Sequence, residues 1–141
     1  MLTVKQISLV RNDFRRLAPA RPEMFKRFYD RLFEIAPHTR DLYSESLTEE
    51  AIRVNGLLEI AFLSLDHPQA MFATLHTLGR DFSGFGIWEK KSDLVVDLLV
   101  EVFAEFGGED WGSELEKAWH SVLIFIAQGM KEGVVAKGAI A

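Results

Sequence analysis

The 141-residue sequence contains no cysteine. Disulfide bonds, thiolate metal sites and cysteine nucleophiles are therefore excluded. The chain also lacks any apolar run approaching the roughly 20 residues that a membrane-spanning helix requires. Its first five residues, Met1 to Lys5, do not have the basic stretch and apolar core of a secretion signal. We therefore expect a cytoplasmic protein with no membrane partner.

Positive charge is scarce as well. The chain carries 16 lysine and arginine residues against 21 aspartate and glutamate residues, which gives a formal net charge of −5. The basic residues are dispersed among acidic ones rather than gathered on one stripe. A protein that binds nucleic acid by neutralising phosphates needs concentrated positive charge. We therefore expect no nucleic-acid partner.

Catalytic and metal-binding motifs are also missing. The sequence has no glycine-rich phosphate loop, no histidine pair at metal-binding spacing and no serine in a nucleophile elbow. Gly84-Phe85-Gly86 is too short for a dinucleotide motif and is more typical of a helix end. The residues by themselves therefore predict no catalytic group, no metal-ligand set and no enzyme.

What the sequence does contain is helical periodicity over nearly its whole length, and nothing alternates as a strand would. Thr3 is suited to cap a first helix, whose apolar residues recur at helical spacing. Pro22 fits the first turn of a second helix, and Pro37 ends that helix. The face of the second helix is aromatic and apolar, with Phe25, Phe28, Tyr29, Leu32 and Phe33.

The rest of the chain predicts further helices of unequal length. Ser46-Leu47-Thr48-Glu49 has the form of a capping box before a long helix. Later helices are predicted at about residues 91–106, ended by Gly107 and Gly108, and at about residues 111–130. A flexible tail is predicted at about residues 132–141. This pattern indicates one all-α domain over residues 1–141, irregular rather than a symmetric bundle.

Several segments, in order and at nearly ungapped spacing, resemble a known family. They are Phe28-Tyr29-Asp30-Arg31-Leu32-Phe33, Leu78-Gly79-Arg80 and Ala118-Trp119. Over about residues 3–131 the chain resembles a bacterial single-domain globin, related to the haem domains of flavohaemoglobins. The resemblance implies the globin fold, a three-over-three helical sandwich, with a pocket that holds haem b.

The resemblance also implies which residues line the pocket. By position these are Phe28, Tyr29, Tyr43, Glu50, Val54, Leu78 and Phe82. Tyr29 occupies the distal position, where the family's phenol donates a hydrogen bond to a bound ligand; it could equally be a core tyrosine bonded to backbone. Glu50 falls where the family has a distal histidine, glutamine or leucine. We expect Glu50 to point to solvent, because an unpaired charge in an apolar pocket is costly.

Phe82 departs from the family at the position of the proximal histidine. Phenylalanine has no lone pair with which to bind iron. The change is accompanied by another, because Ser92 stands where the family has a tyrosine that hydrogen-bonds that histidine. The loss of both groups indicates a proximal site rebuilt as apolar core.

Three interpretations of function remain open. In the first, the chain binds haem weakly or atypically, or binds another small apolar ligand, and does not bind oxygen through histidine-ligated haem. In the second, it is a true haem protein for oxygen or nitric oxide, with Tyr29 or His76 as the axial ligand. In the third, it is a haem-free signalling or interaction module that acts as a homodimer. Its dimer surface could be supplied by Trp88, Trp111 and the apolar residues Val95, Val96, Leu98 and Leu99, although we expect most of that face to be core.

Overall fold

A computed structural model of the chain describes residues 2–42, 46–63, 65, 67, 70, 73–74 and 92–140, with the side chains of the last helix described as far as residue 129. Five α-helices occupy these residues: α1 (Val4–Arg16), α2 (Arg21–Ile35), α3 (Leu47–Leu63), α4 (Ser92–Glu105) and α5 (Ser113–Ile140). No strand occurs in these ranges, so the all-α prediction is confirmed there. None of the described helices is long and apolar enough to cross a membrane.

The predicted helix starts are confirmed in their local chemistry. The Thr3 hydroxyl accepts a hydrogen bond from the Gln6 N–H at 3.1 Å, and the Gln6 side chain accepts one from the Thr3 N–H at 3.0 Å. This reciprocal capping box satisfies two backbone donors at the start of α1. Pro22 lies in the first turn of α2, as expected. At the start of α3, the Ser46 hydroxyl accepts a hydrogen bond from the Glu49 N–H at 3.2 Å.

The helix ends agree less uniformly with the sequence. α2 ends at Ile35, and a 3₁₀ turn follows over Pro37–Leu42. Gly108 follows the end of α4 with a φ of 67°, a backbone conformation that glycine adopts without strain. The predicted end of the last helix near residue 130 is wrong, because α5 continues to Ile140. Glycines in this stretch weaken a helix but do not stop it as proline does. The flexibility of residues 132–141 stays a prediction.

The centre of the core is the fully buried Trp119 on α5. The rings of Phe14 on α1, Phe62 on α3 and Phe103 on α4 have their centroids 6.3, 5.6 and 4.2 Å from that of Trp119. Phe25 on α2 continues the cluster, 6.3 Å from Phe103. One aromatic cluster therefore joins all five helices, and burial of such large rings dominates core energetics.

A buried carboxylate fixes α1 against this cluster. Asp13 is 6% exposed and accepts a hydrogen bond from the indole N–H of Trp119 at 2.8 Å. The Arg16 guanidinium donates to the same carboxylate at 3.0 Å and to the carbonyls of Phe106 and Gly107 at 3.2 Å each. These bonds connect α1, α5 and the end of α4 through groups that would be costly to bury without partners.

Ion pairs connect the exposed sides of α2 and α4. Arg31 contacts Glu101 at 3.0 Å and Glu105 at 3.4 Å, and Arg27 contacts Glu105 at 3.2 Å. We call these four residues the α2–α4 ladder. Exposed pairs are weak one at a time, so the ladder contributes more to the alignment of the two helices than to stability.

The apolar face proposed for a dimer is not available at the surface. Val95, Val96, Leu98 and Leu99 are at most 3% exposed because they pack into the core of the chain itself. Trp111 is half-buried against that core, and Trp88 lies outside the described residues. The expectation that most of this face belongs to the core is therefore confirmed for these four residues, and they do not supply a dimer surface. The homodimer itself stays a prediction.

Candidate functional site

The α2 side of the predicted pocket consists of two neighbouring aromatic residues. Phe28 is 1% exposed and Tyr29 is 0% exposed, and their ring centroids are 5.0 Å apart at an angle of 69°. The ring of Phe33, one turn further along α2, lies 6.0 Å from that of Tyr29. Ring contacts of this kind, edge-to-face for Phe28 with Tyr29 and tilted for Tyr29 with Phe33, add to the burial energy of the rings and restrict their orientation. The position of Tyr29 is therefore set by packing within α2 and the core.

The α3 side of the predicted pocket is built by residues one turn apart. Val54 is 0% exposed and Glu50 is 1% exposed. Residues four apart lie on the same face of a helix, so Glu50 and Val54 belong to one buried strip of α3. α2 and α3 pack against each other. The structure thus places four of the seven predicted site residues on the buried faces of two packed helices.

The expectation that Glu50 points to solvent is wrong. Its side chain is buried, and a carboxylate oxygen lies 3.6 Å from the guanidinium of Arg53, three residues further along α3. Glu50 also sits in the first turn of α3, where the partial positive charge of the helix N-terminus favours a carboxylate. These two positive neighbours offset the cost of burial that the prediction treated as decisive. Arg53 is half-exposed, so the positive partner of this pair contacts solvent while Glu50 stays buried.

The remaining predicted residues cannot be placed. Tyr43, Leu78 and Phe82 lie outside the described residues, and so does His76. The assignment of Phe82 to the proximal position therefore stays a prediction. Within the described ranges, no group of three histidine, aspartate or glutamate side chains is arranged to hold a metal ion.

We call the buried residues Phe28, Tyr29 and Val54 the wall of the predicted pocket. Their burial has a consequence for any ligand. Phe28, Tyr29 and Val54 are each at most 1% exposed in the polypeptide by itself. Other protein groups therefore already cover these side chains. A molecule as large as a porphyrin can contact all three only after those groups have moved apart.

Sequence reasoning missed a second concentration of polar groups, outside this wall. Arg21, with its side chain 9% exposed, donates to the carboxylate of Glu59 at 2.8 Å and to the carbonyl of Phe14 at 3.1 Å. Its guanidinium carbon lies 3.7 Å from the centre of the Phe14 ring. The sequence signal was slight: an arginine directly before Pro22 at a helix start, with no periodicity that marks it as buried.

Proteins similar in sequence to this chain include the following three. Leghemoglobin-1 of Lupinus luteus is 27% identical over 94% of this chain and 97% of its own length. The anaerobic nitrite reductase of Brassica napus is 25% identical over 93% of this chain and 91% of its own length. The flavohemoprotein of Vibrio cholerae is 23% identical over 91% of this chain, which spans only 33% of that protein. Since one relative is an enzyme by name, the expectation that this chain is not an enzyme is not supported.

The fold comparison agrees with the sequence comparison. An engineered carbene transferase of Rhodothermus marinus superposes on the chain with a TM-score of 0.80, at 24% identity and with full coverage of both chains. At this identity the match demonstrates the fold alone. The family model described as Globin matches residues 26–130, a span that includes most of α2, all of α3 and α4, and most of α5. The resemblance inferred from the sequence is thereby confirmed, and the chain belongs to the globin family.

Proposed function

We propose that this globin binds haem b, or a flat apolar molecule of similar shape, weakly and without an axial bond from residue 82. The wall of the proposed pocket is formed by Phe28, Tyr29 and Val54. The observation that carries the proposal is the complete burial of these three side chains in the polypeptide by itself. The phenylalanine at position 82, which the sequence resemblance assigns to the place of the family's histidine, supports it.

The described wall suits a porphyrin in its chemistry. Phe28 and Val54 offer apolar surface and exclude water, and Tyr29 adds a hydroxyl that can donate a hydrogen bond to a polar atom in the pocket. Haem, when bound, supplies an iron centre for small-ligand binding and electron transfer. With phenylalanine in place of a histidine ligand, apolar contacts supply most of the binding free energy.

The burial of the wall weakens binding further. A ligand reaches Phe28, Tyr29 and Val54 only in conformations in which the covering groups have moved apart. The apparent dissociation constant equals the intrinsic one divided by the fraction of molecules in the open state. An open fraction of about 1% would weaken the apparent affinity about 100-fold. Weak, exchangeable binding is therefore expected on two independent grounds.

The test is the visible absorption spectrum of protein expressed with haem supplied. We expect the wild type to lose its Soret band on desalting, and Phe82→His to retain one, because the new imidazole supplies an iron–nitrogen bond. Ile35→His is the matched control, since residue 35 is 53% exposed on α2 and adds a histidine outside the wall. A stoichiometric Soret band that survives desalting of the wild type contradicts the proposal.

Unusual axial ligation is the alternative within haem chemistry, with Tyr29 or His76 as the ligand. A tyrosinate can ligate haem iron. The absorption spectra of Tyr29→Phe and His76→Ala distinguish the cases. If haem is retained and neither substitution changes the spectrum, neither residue is the ligand.

A second candidate function is reduction of a small nitrogen oxide, as the name of the Brassica napus relative states for that protein. The similarity over 93% of this chain favours it. The assay is nitrite consumption by haem-loaded protein with a chemical reductant, compared with the same concentration of free haem. A rate no greater than that of free haem contradicts this candidate.

A haem-free interaction module is the remaining candidate. The α4 residues suggested for its dimer interface are buried in the core, so no described surface is assigned to that interface. Sedimentation at several protein concentrations tests the homodimer. A monomer at every concentration removes it.

A further inference from the structure

Trp119 and Asp13 form a buried pair that combines an oxidisable ring with a base. The indole N–H of Trp119, a residue that is 0% exposed, donates to Oδ2 of Asp13 at 2.8 Å. An indole loses an electron more readily than most side chains. The loss leaves a positive charge on the ring and makes its N–H strongly acidic. The charges and acceptors next to the indole therefore decide how easily Trp119 is oxidised.

The Asp13 carboxylate stabilises the positive charge that oxidation creates. It lies at hydrogen-bond distance from the indole nitrogen, in a protein interior where charges interact more strongly than in water. The Arg16 guanidinium opposes this effect, but it donates to the other oxygen, Oδ1, and its side chain is 42% exposed. Solvent therefore screens the arginine more than it screens the carboxylate. The nearest charge to the indole thus favours the loss of an electron.

Asp13 also provides an acceptor for the indole proton. Since the hydrogen bond is already formed, the proton moves to Oδ2 without any rearrangement of the two side chains. Asp13 lines a groove of about 550 Å³ between α1 and the start of α5, which we call the α1–α5 groove. The carboxylate therefore lies between the buried indole and a groove that opens to solvent. The proton can leave the interior by this route.

The electron has a separate route to the surface. The ring centroids of Phe62 and Phe14 lie 5.6 and 6.3 Å from that of Trp119. Both phenylalanines line a groove of about 560 Å³ formed by α1, the start of α2 and the end of α3, which we call the α1–α3 groove. A small oxidant in this groove is separated from the indole by a single ring, a distance that an electron crosses by tunnelling. Because Trp119 is buried, the oxidant takes an electron and does not add to the indole.

We propose that Trp119, with Asp13 as its base, is a one-electron donor site for small radical oxidants that enter the α1–α3 groove. The indole gives one electron to the radical, which becomes its anion. The indole N–H bond breaks, the proton forms an O–H bond with Oδ2 of Asp13, and Trp119 is left as a neutral indolyl radical. The proposal is independent of haem and of residue 82, because it uses only described residues of α1, α3 and α5.

The experiment oxidises the full-length protein with azide radicals generated by pulse radiolysis and follows the transient visible absorption of the indolyl radical. Trp88 and Trp111 are first replaced by phenylalanine, so that Trp119 is the remaining tryptophan of the three. We expect the radical to appear in its deprotonated form, whose spectrum differs from that of the protonated cation. Asp13→Asn should slow its formation about tenfold, because the amide carries no negative charge and does not take up the proton.

Asp30→Asn is the matched control, because it removes an exposed carboxylate of the same charge from α2. It should leave the rate within about twofold, since an exposed charge is screened by solvent. Circular dichroism checks that each variant is folded. Asp13→Asn is also compared with Asp13 in the protein that retains all three tryptophans, so the result does not depend on the double replacement.

Three outcomes overturn the proposal. The first is that no indolyl radical forms when Trp119 is the remaining tryptophan. The second is that the radical persists as the protonated cation although Asp13 is present. The third is that Asp13→Asn forms the radical as fast as Asp30→Asn does.

Discussion

Replacing Asp13 with alanine should destabilise the protein by about 3 kcal/mol. The Asp13 carboxylate is the acceptor for the indole N–H of Trp119, a residue that is 0% exposed and therefore beyond the reach of water. Leaving a buried donor without an acceptor costs about 1–3 kcal/mol. Loss of the pair with Arg16, whose side chain is 42% exposed, adds up to about 1 kcal/mol.

Thermal denaturation followed by circular dichroism measures the effect. The entropy of unfolding is about 2.1 cal/mol/K per residue near 60 °C, or about 0.3 kcal/mol/K for a chain of this length. A loss of about 3 kcal/mol therefore lowers Tm by about 10 °C. Asp13→Asn keeps an acceptor oxygen for the indole and loses only the charge, so it should lower Tm by about 3 °C.

Asp30→Asn is the control, because Asp30 is exposed on α2 and should change Tm by no more than about 1 °C. A double-mutant cycle with Trp119→Phe isolates the hydrogen bond, since the two substitutions should not be additive. The argument is refuted if Asp13→Ala melts within about 1 °C of the wild type. That result would mean that water or another group replaces the carboxylate at the indole.

Two further predictions concern other parts of the fold. Gly107→Ala should destabilise by about 1–3 kcal/mol, because an added Cβ would lie 2.7 Å from the Cβ of Trp111, whereas Gly112→Ala meets no atom within 4 Å and should be close to neutral in urea denaturation. The hydrogen bond with Glu114, and then the attraction of its charge, raises the pKa of Lys5 above its ordinary value of 10.5. The stabilisation from this exposed pair should therefore be fully present below pH 10.5 and disappear as the pH rises through the raised pKa. The test compares the urea denaturation midpoints of the wild type and a Lys5→Met variant at about pH 8 and at about pH 11.5. An equal difference between the two midpoints at both pH values would contradict the prediction.

The positions of the described helices could be predicted from the sequence because their signals are local. Thr3 and Gln6 cap α1 through side chains only three residues apart, and Pro22 and Gly108 act through their own backbone conformations. Such signals do not depend on the rest of the fold. The end of α5 was missed because glycine only lowers helix stability, so the sequence does not determine where the last helix stops.

The burial and the hydrogen-bond partners of Asp13 and Arg21 could not be predicted, because those partners are distant in the chain. Asp13 bonds to Trp119, 106 residues away, and Arg21 bonds to Glu59, 38 residues away. Neither pair has a periodic signature. Glu50 was misjudged for a related reason: its burial depends on how α3 packs, although its partner Arg53 is only one turn away. Among the described members of the predicted site, the burial of Phe28, Tyr29 and Val54 could therefore be predicted, and that of Glu50 could not.

The α2–α4 ladder has a consequence for the motion of the proposed pocket. α2 is held to α4 by the ladder on its exposed side, to α3 by the pair of Arg21 with Glu59 at its start, and to the core by Phe25. A helix attached on three sides has few local opening motions available to it. The backbone amides around Tyr29 should consequently exchange with deuterium only through global unfolding. A ligand is then admitted by movement of the protein groups that cover Tyr29, and Tyr29 itself stays in place.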